Sequence, residues 1–416
     1  MLPISPNQIK NYNTMIYDRV QLLAPIGVEL MGIQNSFPLK PFSLEVMNFL
    51  VDLSTALIGD LRVKNLPDLY SFGFWCRRTS LESMRRRYSD IDQRLGRGVV
   101  FHIAPSNVPM NFVYSLVAAL LSGNASIVRL PSNDFVQVNI IVEAIDLLLK
   151  TKEHESLRDH IRLVRYQREE KDITATFSEA CDVRVIWGGD DTINNVRRHS
   201  LPSRAFDVTF ADRYSVCLIG AAKYLKEGNH SSIASSFYND TYLFDQNACT
   251  APHLVLWYGA SEVVKKAQQV FWRELHSYSK TRYQLETSSA IEKWSHALRY
   301  VALHPGSSIV SNIDNIVTRV KLSKLDPNID SWSSKCGFFF EFELSNLDQL
   351  LSIINRRYQT LSYTGIEKST LHKLITDGRT FGVDRIVPIG RTLEFSLNWD
   401  GYDLISTLSR LVLVAR

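Results

Sequence analysis

Short β-branched and aromatic runs alternate with amphipathic stretches through the middle of the chain. Residues 98–103 form an apolar run of strand length that ends at Ala104 and Pro105. Residues 111–121 have helical character, and Ser122, Gly123 and Asn124 supply a carboxyl cap. A strand at 125–130 closes at Pro131, and residues 136–149 form an amphipathic helix. The pattern predicts further strands at 161–166, 183–187, 205–209, 215–219 and 254–258. Helices are expected at 174–180, after Gly188-Gly189, and at 261–278. Residues 337–343 read as a strong strand, with a Leu-rich helix expected from Leu347. Such alternation predicts parallel sheets covered by helices. Residues 1–95 read as mostly helical and polar, and a second α/β unit is expected to begin near residue 245.

Composition narrows the class. At 416 residues the chain exceeds what one core supports, and 45% hydrophobic with 22% charged residues is globular rather than disordered. The net charge of +4 is small. The densest basic cluster, Arg85-Arg86-Arg87, reads as a solvated helix face, with a docking site for an anionic coenzyme tail as the alternative. No basic stripe interleaved with aromatics supports nucleic-acid binding. Cys76, Cys181, Cys217, Cys249 and Cys336 are scattered and form no CxxC pair. That argues against a disulfide framework and structural zinc, and fits a reducing cytoplasm. The start lacks a signal-peptide pattern. The apolar stretch at 112–121 falls short of the roughly 20 residues that span a bilayer, so no membrane span and no metal site are expected.

Two segments carry candidate chemistry. Cys249 follows Asp245-Gln246-Asn247, which is loop chemistry, whereas Cys217 sits in a core-like run, Val216-Cys217-Leu218-Ile219. A loop thiol is a candidate nucleophile. Asn107, between Pro105 and Pro109, reads equally as a turn asparagine and as a donor to an oxyanion. His253 is read as structural, since extended spacing keeps it from Cys249. Gly188-Gly189 between a strand and a helix suits a pyrophosphate, but the G-x-G-x-x-G spacing is missing. Arg129 ends a strand at the sheet edge where ligands bind, and reads equally as a surface arginine.

Several motifs together resemble the LuxC-type acyl-CoA reductases of the aldehyde dehydrogenase superfamily. They are GVVFHIAPSNVP (98–109), LLSGNASIVRLP (120–131), WGGDDT (187–192), FDQNACTAP (244–252), GVDRIVPIG (382–390) and Asp400-Gly401. The resemblance runs from about residue 70 to the carboxyl terminus. It implies an α/β, aldehyde-dehydrogenase-like fold with a Rossmann-type cofactor-binding domain and an α/β catalytic domain. The expected organisation is an accessory region at 1–95, an NAD(P)-binding domain at 96–245, a catalytic domain at 246–395 and a terminal segment at 396–416. By the resemblance Cys249 is the nucleophile and Asn107 the oxyanion donor. Ile103, Ala104, Pro105 and Ser106 line the nicotinamide side. Arg129 stands at the position that holds the adenosine ribose, and Trp187, Gly188 and Gly189 lie near the diphosphate.

The implied activity is NADPH-dependent reduction of an acyl-CoA or other acyl thioester to the aldehyde in the cytoplasm. An acyl-transferring or acyl-activating partner protein and a homo-oligomer are implied with it. One departure matters. Ala211 stands where hydrolytic aldehyde dehydrogenases carry a glutamate, although a one-residue shift would bring in Asp212. Loss of that glutamate fits a reductase. The competing readings are an aldehyde dehydrogenase that makes acid, and a non-catalytic scaffold for an acyl-transferring enzyme.

Overall fold

The computed structural model describes residues 18–106, 108–310 and 314–413. They divide into two compact units, one from Met1–Ala211 and Tyr402–Arg416, the other from Asp212–Gly401.

The first unit is built on a six-stranded sheet. Its strands are β1 (Gln21–Ala24), β3 (Val99–Ile103), β4 (Ala125–Arg129), β5 (Ile161–Arg165), β6 (Val183–Trp187) and β7 (Phe206–Phe210). A separate short strand, β2 (Arg94–Gly96), pairs with Ser409–Leu411. The sheet order is β1-β5-β4-β3-β6-β7. Strands β3 to β7 are parallel, and numbering them 1 to 5 by sequence gives the order 3-2-1-4-5. This is the doubly wound Rossmann order, with its switch point between β3 and β6. β1 was not expected from the sequence. It lies antiparallel on β5 and covers that edge.

Val99, Phe101, Ile103 and Ile127 pack with Ile173, Phe177 and Ile193 from the helices Lys171–Glu179 and Asp190–Val196. His102, at an intervening position of β3, is fully buried. Its Nδ1 lies 2.7 Å from Ser115 Oγ and its Nε2 3.3 Å from Ser126 Oγ. Burial pushes the imidazole down to about 3, so it is neutral at physiological pH. Asn124 closes the turn after the helix Asn111–Leu121. Its Oδ1 accepts from the Arg97 and Gly98 amides, while its Nδ2 donates to the Ala119 and Leu408 carbonyls.

The second unit holds a seven-stranded sheet. Its strands are β8 (Tyr214–Gly220), β9 (Pro252–Tyr258), β10 (Ser308–Val310), β11 (Thr318–Lys321), β12 (Phe338–Leu344), β13 (Tyr358–Thr364) and β14 (Arg385–Pro388). The order is β10-β11-β12-β9-β8-β13-β14, and only β10 runs antiparallel to its neighbour. Alternation divides the side chains between two cores. Val216, Leu218, Leu254, Leu256, Phe338 and Phe340 enter one, with Ala297 and Tyr300 of the helix Thr287–Leu303. Cys217, Ile219, Val255, Trp257 and Phe339 enter the other, with Phe271 and Trp272 of the helix Ser261–Lys280. The chain passes from the first sheet to the second between β7 and β8, so residues 245 and 246 both lie inside the second unit.

Candidate active site

Cys249 lies in the loop between the helix His230–Thr241 and β9. Asp245 and Gln246 both adopt left-handed backbone, at φ 50° and 61°. Such conformations persist only where surroundings hold them. Gln246 is the clamp. Its buried amide donates to the Pro252 and Phe338 carbonyls, both at 2.9 Å. Its Oε1 accepts from the Gly337 and Phe338 amides, both at 3.1 Å. Gly337 sits at φ 80°, where a Cβ would fall 2.3 Å from Tyr242 Oη, so only glycine fits. Tyr283 adds a 2.6 Å hydrogen bond to the Asp245 carboxylate. Ser215 Oγ donates to the Cys249 carbonyl at 2.7 Å and accepts from the Thr360 amide at 3.2 Å.

The loop meets the amino-terminal ends of the parallel strands, where charged groups collect. Arg213 stands just before β8, between two carboxylates. Its Nη2 lies 2.9 Å from Asp384 and its Nε 3.3 Å from Asp400. Gln359, fully buried at the start of β13, donates from Nε2 to Asp400 Oδ1. Arg385 lies over the Trp399 ring at 4.4 Å and donates to the Thr392 and Glu394 carbonyls.

Cys249 is partly exposed as a residue, yet burial of its sulfur pushes the thiol up to about 12. The nearby Asp400 charge raises it further, while a hydrogen bond from Gln359 and the charges of Arg385 and Arg213 oppose the rise. Burial also raises the Asp400 carboxyl, against Arg213 and Gln359. At neutral pH the thiol is therefore protonated. Cys217 is buried in the core, as expected. His253 is buried against Tyr214 at 5.6 Å, and burial pushes it down to about 4, which matches a structural histidine.

In the first unit, Ile103 ends β3 and is buried, Ala104 and Pro105 are half-buried, and Ser106 is exposed. Asn107 lies outside the described residues. Across the switch point, Trp187 ends β6. Its ring stacks on Phe210 at 3.8 Å and its indole N–H donates to Ser115. Gly188 and Gly189 lead into the helix Asp190–Val196, and the Gly188 amide donates to the Phe210 carbonyl at 3.1 Å. Arg129, at the end of β4, lies over the Tyr166 ring at 4.7 Å. Among the described residues no carboxylate pairs with it, and its buried Nε has no partner. An unpaired guanidinium beside a doubly wound switch point fits the ribose or phosphate of a dinucleotide. Arg85, Arg86 and Arg87 are exposed, in keeping with a solvated face. Ala211 follows β7, and Asp212 is exposed.

Sequence reasoning missed Gln359, the clamping role of Gln246, and the roles of Arg213, Asp384, Arg385 and Asp400. Gln246 stands in the quoted FDQNACTAP segment, and Asp384, Arg385 and Asp400 in the GVDRIVPIG and Asp400-Gly401 segments, so a signal existed without a role. Gln359 carries no such signal. Among the described residues no group of three or more His, Cys, Asp or Glu is arranged to hold a metal. No helix there is long and apolar enough to cross a membrane.

Comparison with known proteins places the chain. Residues 75–413 match the family model described as acyl-CoA reductase (LuxC). The chain belongs to that family. It is 23% identical over 318 residues to the long-chain acyl-protein thioester reductase of Vibrio harveyi, covering 76% of this chain and 63% of that one. It is 27% identical over 168 residues to long-chain acyl-protein thioester reductase 2 of Photobacterium leiognathi, covering 40% and 33%. The chain thus spans less than two thirds of the relatives it matches. In fold it is similar to aldehyde dehydrogenase 21 of Physcomitrella patens, with TM-score 0.60, 10% identity, and coverage of 98% and 90%. It is similar also to the Delta-pyrroline-5-carboxylate dehydrogenase of Mycobacterium tuberculosis, with TM-score 0.60, 13% identity, and coverage of 90% and 80%. The fold is aldehyde-dehydrogenase-like.

Proposed function

We propose that the chain reduces a long-chain acyl thioester to the aldehyde with NADPH, through an acyl-enzyme on Cys249. The observation that carries this reading is the clamped loop. In a chain of this family, it presents Cys249 beside Gln359, Arg385 and Arg213 rather than within a hydrophobic core. The Cys249 sulfur attacks the thioester carbonyl. Asn107 and the Cys249 amide donate to the developing oxyanion, each worth about 3 kcal/mol by the usual cost of deleting such a donor. When bound, the nicotinamide supplies hydride to the thioester carbon. The resulting thiohemiacetal on Cys249 collapses to aldehyde and free thiol.

Residues 103–106, Arg129, Trp187, Gly188 and Gly189 form the cofactor side of this reading, with Arg129 offering a cation to the adenosine ribose or its 2′-phosphate. Ala211 supports the reductive outcome, since no carboxylate at that position activates water for hydrolysis. Acyl-CoA is the proposed donor. The relatives' name, long-chain acyl-protein thioester reductase, makes a partner-borne acyl group the alternative. A cytoplasmic homo-oligomer completes the proposal.

The test follows NADPH oxidation with long-chain acyl-CoA while trapping aldehyde. Acyl-dependent oxidation should fall at least about a thousandfold in Cys249→Ala, as removal of a covalent nucleophile does. Acid as the product would replace the reading with a dehydrogenase. No turnover with acyl-CoA or with acylated protein would leave a non-catalytic scaffold.

A further inference from the structure

We infer that Gln359 is a further catalytic residue, whose side-chain amide donates to the Cys249 sulfur, and that Asp400 and Arg213 are positioning residues that aim it. The inference rests on the reading of Cys249 as nucleophile. Four observations within the second unit carry it.

The backbone is irregular where Gln359 stands. β13 advances from Tyr358 to Leu361 while its partner β8 advances only from Tyr214 to Val216, so one extra residue is accommodated at Gln359-Thr360. A bulge of this kind re-aims a side chain that a regular strand would send elsewhere. β9 is irregular opposite the same point of β8, with Pro252 paired to Ser215 and Leu254 to Val216. Ser215 ties the two irregular strands together, through its bonds to the Cys249 carbonyl and the Thr360 amide.

The amide also has a fixed sense. Its nitrogen end faces Asp400, with Nε2 donating to Oδ1. The oxygen end accepts from Thr360 Oγ1 at 3.4 Å. One N–H of the two is then committed to Asp400. The other is left for the Cys249 sulfur, whose residue is tied through Ser215 to the Thr360 amide next to Gln359. Asp400 and Gly401, at φ 51° and 77°, form a tight Asp-Gly turn that fixes the place of the carboxylate, and Arg213 Nε pairs with it at 3.3 Å.

The chemistry uses this donor twice. On acylation, the bond from sulfur to the acyl carbon forms and the donor's carbon–sulfur bond breaks. The donor leaves as a thiol with the proton that Cys249 released. On collapse of the thiohemiacetal, the same carbon–sulfur bond breaks as the hydroxyl becomes the aldehyde, and its proton ends on Cys249. In both steps the sulfur passes through an anionic state that an N–H donor stabilises and the Asp400 charge opposes.

Gln359 and Asp400 therefore act on the thiol with opposite sign, which a merely structural role would not produce. The measurement is the rate of iodoacetamide alkylation at Cys249 in the full chain, located by peptide mass, between about pH 7 and 10 where the thiolate is the reacting form. Gln359→Met removes the donor and should lower the thiolate fraction about tenfold. The rate should fall about threefold, because the more basic thiolate attacks faster. Asp400→Asn removes the charge and should raise the rate by a similar factor. Rates that rise in both variants, or change in neither, overturn the inference. If Gln359→Met does not fold by circular dichroism, the Asp400→Asn arm decides alone, and no acceleration there overturns it. Alkylation needs neither acyl donor nor nicotinamide, so it reads the sulfur even in a chain that reduces nothing. Acyl-dependent NADPH oxidation, run in parallel, reports on the function separately.

Discussion

His102 and His253 are each buried without charge, one in each unit, and this gives the chain an acid-sensitive side. Burial holds His102 down to about 3 and His253 down to about 4, against an ordinary value of 6.5. Between those values the unfolded chain binds protons that the folded chain refuses. Stability is therefore complete above about pH 6.5 and falls as pH drops through that window. For His102 the loss at pH 4 is on the order of 3 kcal/mol. Melting temperature against pH should show a shallower acid limb in His102→Gln than in the native chain. Parallel acid limbs would contradict the assignment. At this scale the sequence separated a core cysteine, Cys217, and a structural histidine, His253, from loop chemistry at Cys249, because neighbours along the chain report local environment. Gln359 was illegible for the opposite reason. Its surroundings come from Asp400, Thr360 and the β8 edge, and a bulge rather than a motif aims it.

Elements were read more fully than contacts. The helices Asn111–Leu121 and Val136–Leu149 and the strand Val183–Trp187 have the expected bounds, since periodicity and end signals agree there. The helix expected from Leu347 is only a short 3-10 segment, Leu347–Ser352. Its leucines satisfy a helical pattern, but the chain turns into β13 six residues later. β1 was missed because four residues in a polar region carry too little periodicity. The element on which the proposed function turns is the Cys249 loop, and Gln246 joins it to β12. Gln246→Leu would strand two backbone donors and two acceptors in a buried site. We expect it to cost about 3 kcal/mol or more and to lower alkylation selectivity for Cys249 over the core cysteines. Thermal unfolding and peptide mapping check this, and an unchanged melting temperature would show that the clamp is dispensable.

For the whole molecule, alternation along the chain announced two α/β assemblies but not the order of their strands. Order depends on which crossover packs where, and only the structure shows 3-2-1-4-5 in one sheet and β8 lying between β9 and β13 in the other. Nor did local pattern show that Ser409–Leu411 returns to pair with β2, a contact spanning most of the chain. These arrangements set a dinucleotide-type switch point in one unit and a clamped thiol in the other. The central claim is that this thiol carries the acyl group. Intact-mass measurement after incubation with long-chain acyl-CoA tests it most directly. The account predicts one acyl increment that maps to Cys249, is absent in Cys249→Ala, and disappears with release of aldehyde when NADPH is added. An acyl group on another residue, or none from either acyl-CoA or an acylated protein donor, would contradict it.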